Sequence, residues 1–144
     1  MICSNASWQR LGSLGAMPPQ MSPDRTGRPL TEAESQVLSS LLAFDFPGVT
    51  ELRCQAPSAR VVGKCSCGCA SVELDVDKEL CPPSPAGRPI PAQATVLDLS
   101  GNPVGGVIVF LKAGYLSYLE IYSFDKPIEV FPPLDRLQTG LGPG

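Results

Sequence analysis

The chain has 144 residues, with 11 basic and 14 acidic side chains and a formal charge of −3 at pH 7. That is one domain's worth of sequence, enough to bury a useful core. It contains no histidine, which removes Ser-His-Asp and Cys-His catalysis, imidazole metal ligands and histidine pH switches. Mild acidity argues against nucleic acid, whose phosphates need clustered Lys and Arg. No 18-residue apolar span suggests a membrane partner, and residues 1–30 lack a signal-peptide apolar region. A cytoplasmic location is the default expectation, with the six cysteines reduced.

Residues 1–29 are rich in Ser, Gly and Pro and poor in apolar periodicity, and read as a disordered extension. All three methionines, Met1, Met17 and Met21, lie there. Translation starting at Met17 or Met21 is one expectation; a genuine flexible extension is the other.

The first helix is predicted to begin at Thr31, because Thr31 and Glu34 have the spacing of a capping box. Ala33, Val37, Leu38, Leu41 and Leu42 then form an apolar stripe at helical spacing. Pro47 disfavours helical geometry at Phe46 and ends it. Residues 49–56 read as a short second helix, with Asp45 available as a cap and Pro57 as the stop; a short strand is the alternative.

Residues 59–77 read as a β-hairpin with Gly68 near its turn. One strand runs from Arg60 to about Cys67. In the other, Val72, Leu74 and Val76 alternate with Ser71, Glu73, Asp75 and Asp77, the pattern of a half-buried strand. Five prolines make residues 78–91 an irregular loop. A short strand over residues 93–99 and a turn over residues 100–106 lead into the longest apolar run of the chain.

That run, residues 104–124, is rich in β-branched and aromatic residues and predicts a central hairpin. Ala113 would be strained at positive φ, so a three-residue loop with Gly114 left-handed is expected rather than a two-residue turn. In that register Val107, Val109, Leu111, Leu119 and Ile121 share one face. Ile108, Phe110, Leu116, Tyr118 and Tyr122 share the other. Both faces are largely apolar, unlike a sheet wet on one side, so the second is expected to be covered by protein or by a partner. Beyond Phe124 the prolines return, and residues 138–144 are expected to be a flexible tail. The fold class is α+β, with one or two N-terminal helices packed on a five-stranded antiparallel meander sheet.

Three groups of residues could carry function. Cys65, Cys67 and Cys69 are candidate thiolate ligands, with Cys54 or Cys81 completing a four-sulfur set for zinc, copper(I) or an iron–sulfur cluster. Against this, alternate residues of a regular strand lie about 6.6 Å apart, wide for one ion unless Gly68 breaks the strand. The competing readings are thiols packed as small hydrophobes and redox chemistry. Glu73, Asp75 and Asp77 form either a solvated strand face or an acidic patch for a basic partner. Phe110, Leu116, Tyr118 and Tyr122 form either a face buried under the proline-rich segments or a contact surface, where aromatic residues are enriched. No catalytic residue is identified, and no cofactor is expected beyond a possible zinc ion.

The segments LTEAE (30–34), FPG (46–48), ELR (51–53), ARVVG (59–63), CSCGC (65–69) and LSYLEI (116–121) together resemble a group of short bacterial proteins, chiefly actinobacterial. The resemblance covers roughly residues 30–137 and implies no activity. In size and charge the chain is also similar to immunity proteins that neutralise toxins. The sequence therefore predicts a small cytoplasmic, non-enzymatic interaction domain, immunity-like in kind, that binds a protein partner or a second copy of itself. A thiolate metal-binding or redox module is the alternative.

Overall fold

The computed structural model describes residues 27–142. The alternative starts at Met17 and Met21, and most of the expected disordered extension, lie outside the described residues. The elements, in order, are β1 (Arg28–Pro29), α1 (Glu32–Leu42), α2 (Val49–Gln55), β2 (Arg60–Lys64), β3 (Val72–Asp75), β4 (Ala92–Leu97), β5 (Pro103–Lys112), β6 (Tyr115–Ser123) and β7 (Leu137–Leu141). The class is α+β: two helices and a seven-stranded antiparallel sheet in the order β1-β2-β3-β6-β5-β4-β7.

Two differences from the expected five-stranded meander follow from pairing across long sequence distance. First, β3 pairs with β6 instead of β4. Residues 76–91 therefore carry the chain past the β5–β6 hairpin to the far side of the sheet. Second, both edges gain a strand: β1 pairs with β2, and β7 pairs with β4 from Ala92↔Leu141 to Val96↔Leu137. The expected tail is thus ladder-bonded as far as Leu141, and Arg136 Nε donates to Leu97 O at 3.0 Å beside it.

Helix α1 forms as its sequence predicts. Glu34 N donates to Thr31 Oγ1 and Thr31 N donates to Glu34 Oε1, completing the capping box. Val37, Leu38, Leu41 and Leu42 are buried against the sheet. At its far end, Arg53 of α2 donates to Leu42 O, Ala43 O and Phe44 O and pairs with Asp45, satisfying carbonyls that the helix leaves open. Asp45 therefore meets Arg53, and the residue preceding α2 is Gly48 at φ 95 with no side-chain cap.

The central hairpin differs from expectation at its turn. Lys112 pairs with Tyr115 across a two-residue turn, with Ala113 at φ 54 and Gly114 at φ 87. The register then shifts, pairing Leu111 with Leu116 but Phe110 with Tyr118, which leaves Ser117 as a bulge. An unshifted ladder from this turn would oppose Val107 to Glu120 and draw that carboxylate to the core face. The bulge instead opposes Val107 to Ile121 and Val109 to Leu119. Leu116, Leu119 and Ile121 all become buried beside Val107, Val109 and Leu111. A left-handed non-glycine residue costs about 1–2 kcal/mol, whereas burying one such side chain contributes about 1.5–3 kcal/mol. Packing decides the register.

Gln55 joins the layers. It is fully buried; its Nε2 donates to Pro82 O and Gly114 O, and its Oε1 accepts from Leu116 N. Ser84 N also donates to Gly114 O, and Ser84 Oγ donates to Gly48 O. The proline-rich loop is thereby fixed between α2 and the hairpin turn.

Candidate thiolate site

Strand β2 ends at Lys64 and β3 begins at Val72, so the CSCGC segment is a turn, not extended strand. Cys65 N donates to Ser71 O at its base, and Gly68 adopts φ +98 at its tip, a conformation side-chain-bearing residues rarely take. This break removes the separation of alternate strand residues and folds the three thiols together. Cys65 and Cys67 Sγ are 2.8 Å apart, and Cys67 and Cys69 Sγ are 3.0 Å apart. All three sulfurs lie within 4.8 Å of one another.

Backbone amides face the cluster. Cys67 N donates to Cys65 Sγ and Cys69 N donates to Cys67 Sγ, each at 3.4 Å. Amides aimed at sulfur favour the thiolate form. Cys69 Sγ lies 3.3 Å from Ser71 Oγ. Ser71 is itself fixed, because its hydroxyl donates to Ile121 O and accepts from Ile121 N on β6. On the other side Ala70 N donates to Ile128 O. The turn is thus anchored to β6 and to the segment that follows it.

The three thiols are not equivalent. Hydrogen bonds with Cys65 and Cys69 push the exposed Cys67 thiol up to about 11. Burial pushes the Cys69 thiol up, but hydrogen bonds with Cys67 and Ser71 outweigh it and hold the group below its ordinary value. Tyr118 borders the same cleft; burial, and then the charge of Cys65, push its phenol upward. Ser71, Glu120 and Asp125 also line this cleft.

Cys54 and Cys81 do not join the set. They form a disulfide with S–S 2.01 Å that ties α2 to the proline-rich loop. This corrects both the four-sulfur expectation and the expectation that every cysteine is a free thiol. The physical reason is proximity: Gln55 docks on Pro82 O, bringing the neighbouring residues of both segments together.

The other candidate residues are placed as follows. Leu116 is buried in the core at 2% exposure, not on a contact surface, because the two-residue turn sets it opposite Leu111 on the core face. Phe110 and Tyr118 are cross-strand partners on the outer face and are half-buried. Tyr122 and Phe124 are 39% and 68% exposed, with ring centroids 6.0 Å apart. Among the described residues this outer face is not fully covered. Glu73, Asp75 and Asp77 are half-exposed. Lys78 pairs with Asp75 at 3.6 Å and lies over the Tyr115 ring, so the acidic row is partly neutralised. Strand β3 is interior to the sheet, between β2 and β6.

Sequence reasoning missed Ser71, Glu120 and Asp125 as neighbours of the thiols. Ser71 had a signal, since it continues the every-second-residue series Cys65, Cys67, Cys69. Glu120 and Asp125 had none, because the β3–β6 pairing brings them there. No described helix is long and apolar enough to cross a membrane. The chain matches no protein-family model, and neither curated proteins nor solved structures gave a match.

Proposed function

We propose that the chain is a binding module for a soft cation, copper(I) or zinc, held by Cys65, Cys67 and Cys69. The observation that carries this reading is the convergence of the three sulfurs within 4.8 Å on one anchored turn. Thiolates select these ions. Three sulfurs complete a trigonal copper(I) site. For zinc, Glu120 or Asp125 in the same cleft, or a water, supplies the fourth position. Zinc–sulfur bonds of about 2.3 Å hold tetrahedral sulfurs about 3.8 Å apart. The Cys65–Cys67 and Cys67–Cys69 pairs therefore open by about 0.8–1 Å on loading, a movement within side-chain rotation. The test is titration of metal-stripped protein with copper(I) and with zinc under chelator competition. One ion per chain is expected, lost in Cys65→Ser and Cys69→Ser but retained when Cys54 and Cys81 are both replaced. Failure to hold either ion against a weak chelator ends this reading.

The Cys54–Cys81 disulfide favours an oxidising compartment over the cytoplasmic default, because cytosolic thiols are kept reduced. A second reading, protein–protein contact of the immunity-like kind, is favoured by the partly uncovered Tyr122 and Phe124 on the outer face. Sedimentation of the wild type and of Tyr122→Ser/Phe124→Ser tests for a dimer. A concentration-independent monomer for both removes self-association.

A further inference from the structure

We infer that Cys65, Cys67 and Cys69, when free of metal, form a dithiol–disulfide exchange site whose oxidant is a low-molecular-weight disulfide and whose shared partner is Cys67. The inference uses the same three residues as the metal reading but stands on the spacing of the sulfurs alone. At 2.8 and 3.0 Å, Cys67 lies between a bonded separation of about 2.05 Å and the about 3.8 Å that a tetrahedral metal would impose. It holds that position toward two neighbours at once. Gly68 keeps Cys67 and Cys69 on one turn instead of on an extended strand.

One cysteine of the three, as thiolate, attacks a sulfur of the oxidant; the oxidant's S–S bond breaks, one thiolate leaves, and a mixed disulfide forms on the protein. A second cysteine gives up its proton and attacks the protein-side sulfur of that bond. This forms the internal disulfide and expels the second small thiolate. The two protons from the protein end on the two released thiols. The protein loses two electrons and the small disulfide gains them.

Cys67 makes the second step insensitive to where the first occurs. If the mixed disulfide forms on Cys65 or Cys69, Cys67 is the adjacent sulfur; if it forms on Cys67, either neighbour closes the bond. One thiol always remains, and the internal bond removes two of three ligands. Oxidation and metal loading therefore exclude each other at this site.

The sequence makes the test direct. Cleavage after Lys64 and Lys78 places all three cysteines in one peptide with no other cysteine. Metal-free full-length chain, carrying Cys3→Ser to remove pairing with that residue, is treated with oxidised glutathione, alkylated and digested. The expected peptide has one alkyl group, one internal disulfide and no glutathione. Cys65→Ser and Cys69→Ser still close an internal bond, whereas Cys67→Ser loses it and accumulates the glutathione adduct. A persistent adduct or three alkyl groups in the chain with all three cysteines overturns the inference, as does closure in Cys67→Ser at the parent rate. Metal is absent throughout, so failure here leaves the metal reading intact, and failure of metal uptake leaves this one intact.

Discussion

Of the described residues at positive φ, Gly68 and Ala113 are informative as a pair because their identities are opposite. Gly68 stands at φ +98 with nothing within 4 Å of an added Cβ. Substitution is therefore opposed by conformation alone, not by crowding. Gly68→Ala is expected to lower stability by about 1–2 kcal/mol and to weaken metal uptake by spreading the sulfurs. Denaturant unfolding and a metal titration check the two effects, and wild-type values in both would show that the turn does not depend on this glycine. Ala113 already carries such strain at φ 54. Ala113→Gly is expected to stabilise by about 1 kcal/mol, the left-handed penalty less the added unfolded-state freedom of glycine. A lower denaturation midpoint would contradict that reading of the turn.

Among the elements, the junction of α2, the proline-rich loop and the β5–β6 hairpin is held by Ser84, by the Cys54–Cys81 disulfide and, at its buried centre, by Gln55. Gln55 is fully buried and makes three hydrogen bonds to backbone groups of both partners. Gln55→Leu keeps much of the volume but leaves the Leu116 amide without its acceptor. Buried unsatisfied groups cost about 1–3 kcal/mol each, so a loss of about 3 kcal/mol or more is expected. Amide exchange should accelerate first at Leu116. A substitution that leaves stability and exchange unchanged would place the junction's strength elsewhere. Position 55 has no distinguishing signal in sequence. An isolated glutamine late in a short helix reads as surface, and its partners lie 27 and 59–61 positions away.

For the molecule as a whole, the edge at β1 introduces a dependence on acid. Glu34 is only 6% exposed and accepts from Arg28 Nη1 and Nη2, at 2.9 and 3.0 Å. Burial pushes its carboxyl up, but hydrogen bonds from Arg28 and Thr31 prevail and hold it below the unfolded value of 4.5. A depressed carboxyl contributes stability that is present above 4.5 and lost as pH falls through the lower folded value. The wild type is therefore expected to lose stability on that acid limb. Glu34→Gln should be weaker at neutral pH and flatter below 4.5. Parallel pH–stability curves for the two proteins would remove Glu34 from this account.

Local pattern determined much of the fold. The Thr31–Glu34 capping box, the apolar stripe of α1, the short α2 and the alternation of Val72, Leu74 and Val76 each rest on interactions within a few residues, and each is present. The clustering of Cys65, Cys67 and Cys69 was likewise legible as a possibility, conditional on Gly68 breaking the strand. Tertiary structure decided what depends on distant partners. Strands β1 and β7 are too short or too glycine-containing to declare themselves, and exist because β2 and β4 offer free edges. The β3–β6 pairing, which brings Glu120 and Asp125 to the thiols, and the Cys54–Cys81 bond have no local signal. The hairpin turn illustrates the division: local preference opposed Ala113 at positive φ, and the burial of Leu116 opposite Leu111, which the expected three-residue loop does not give, outweighed it.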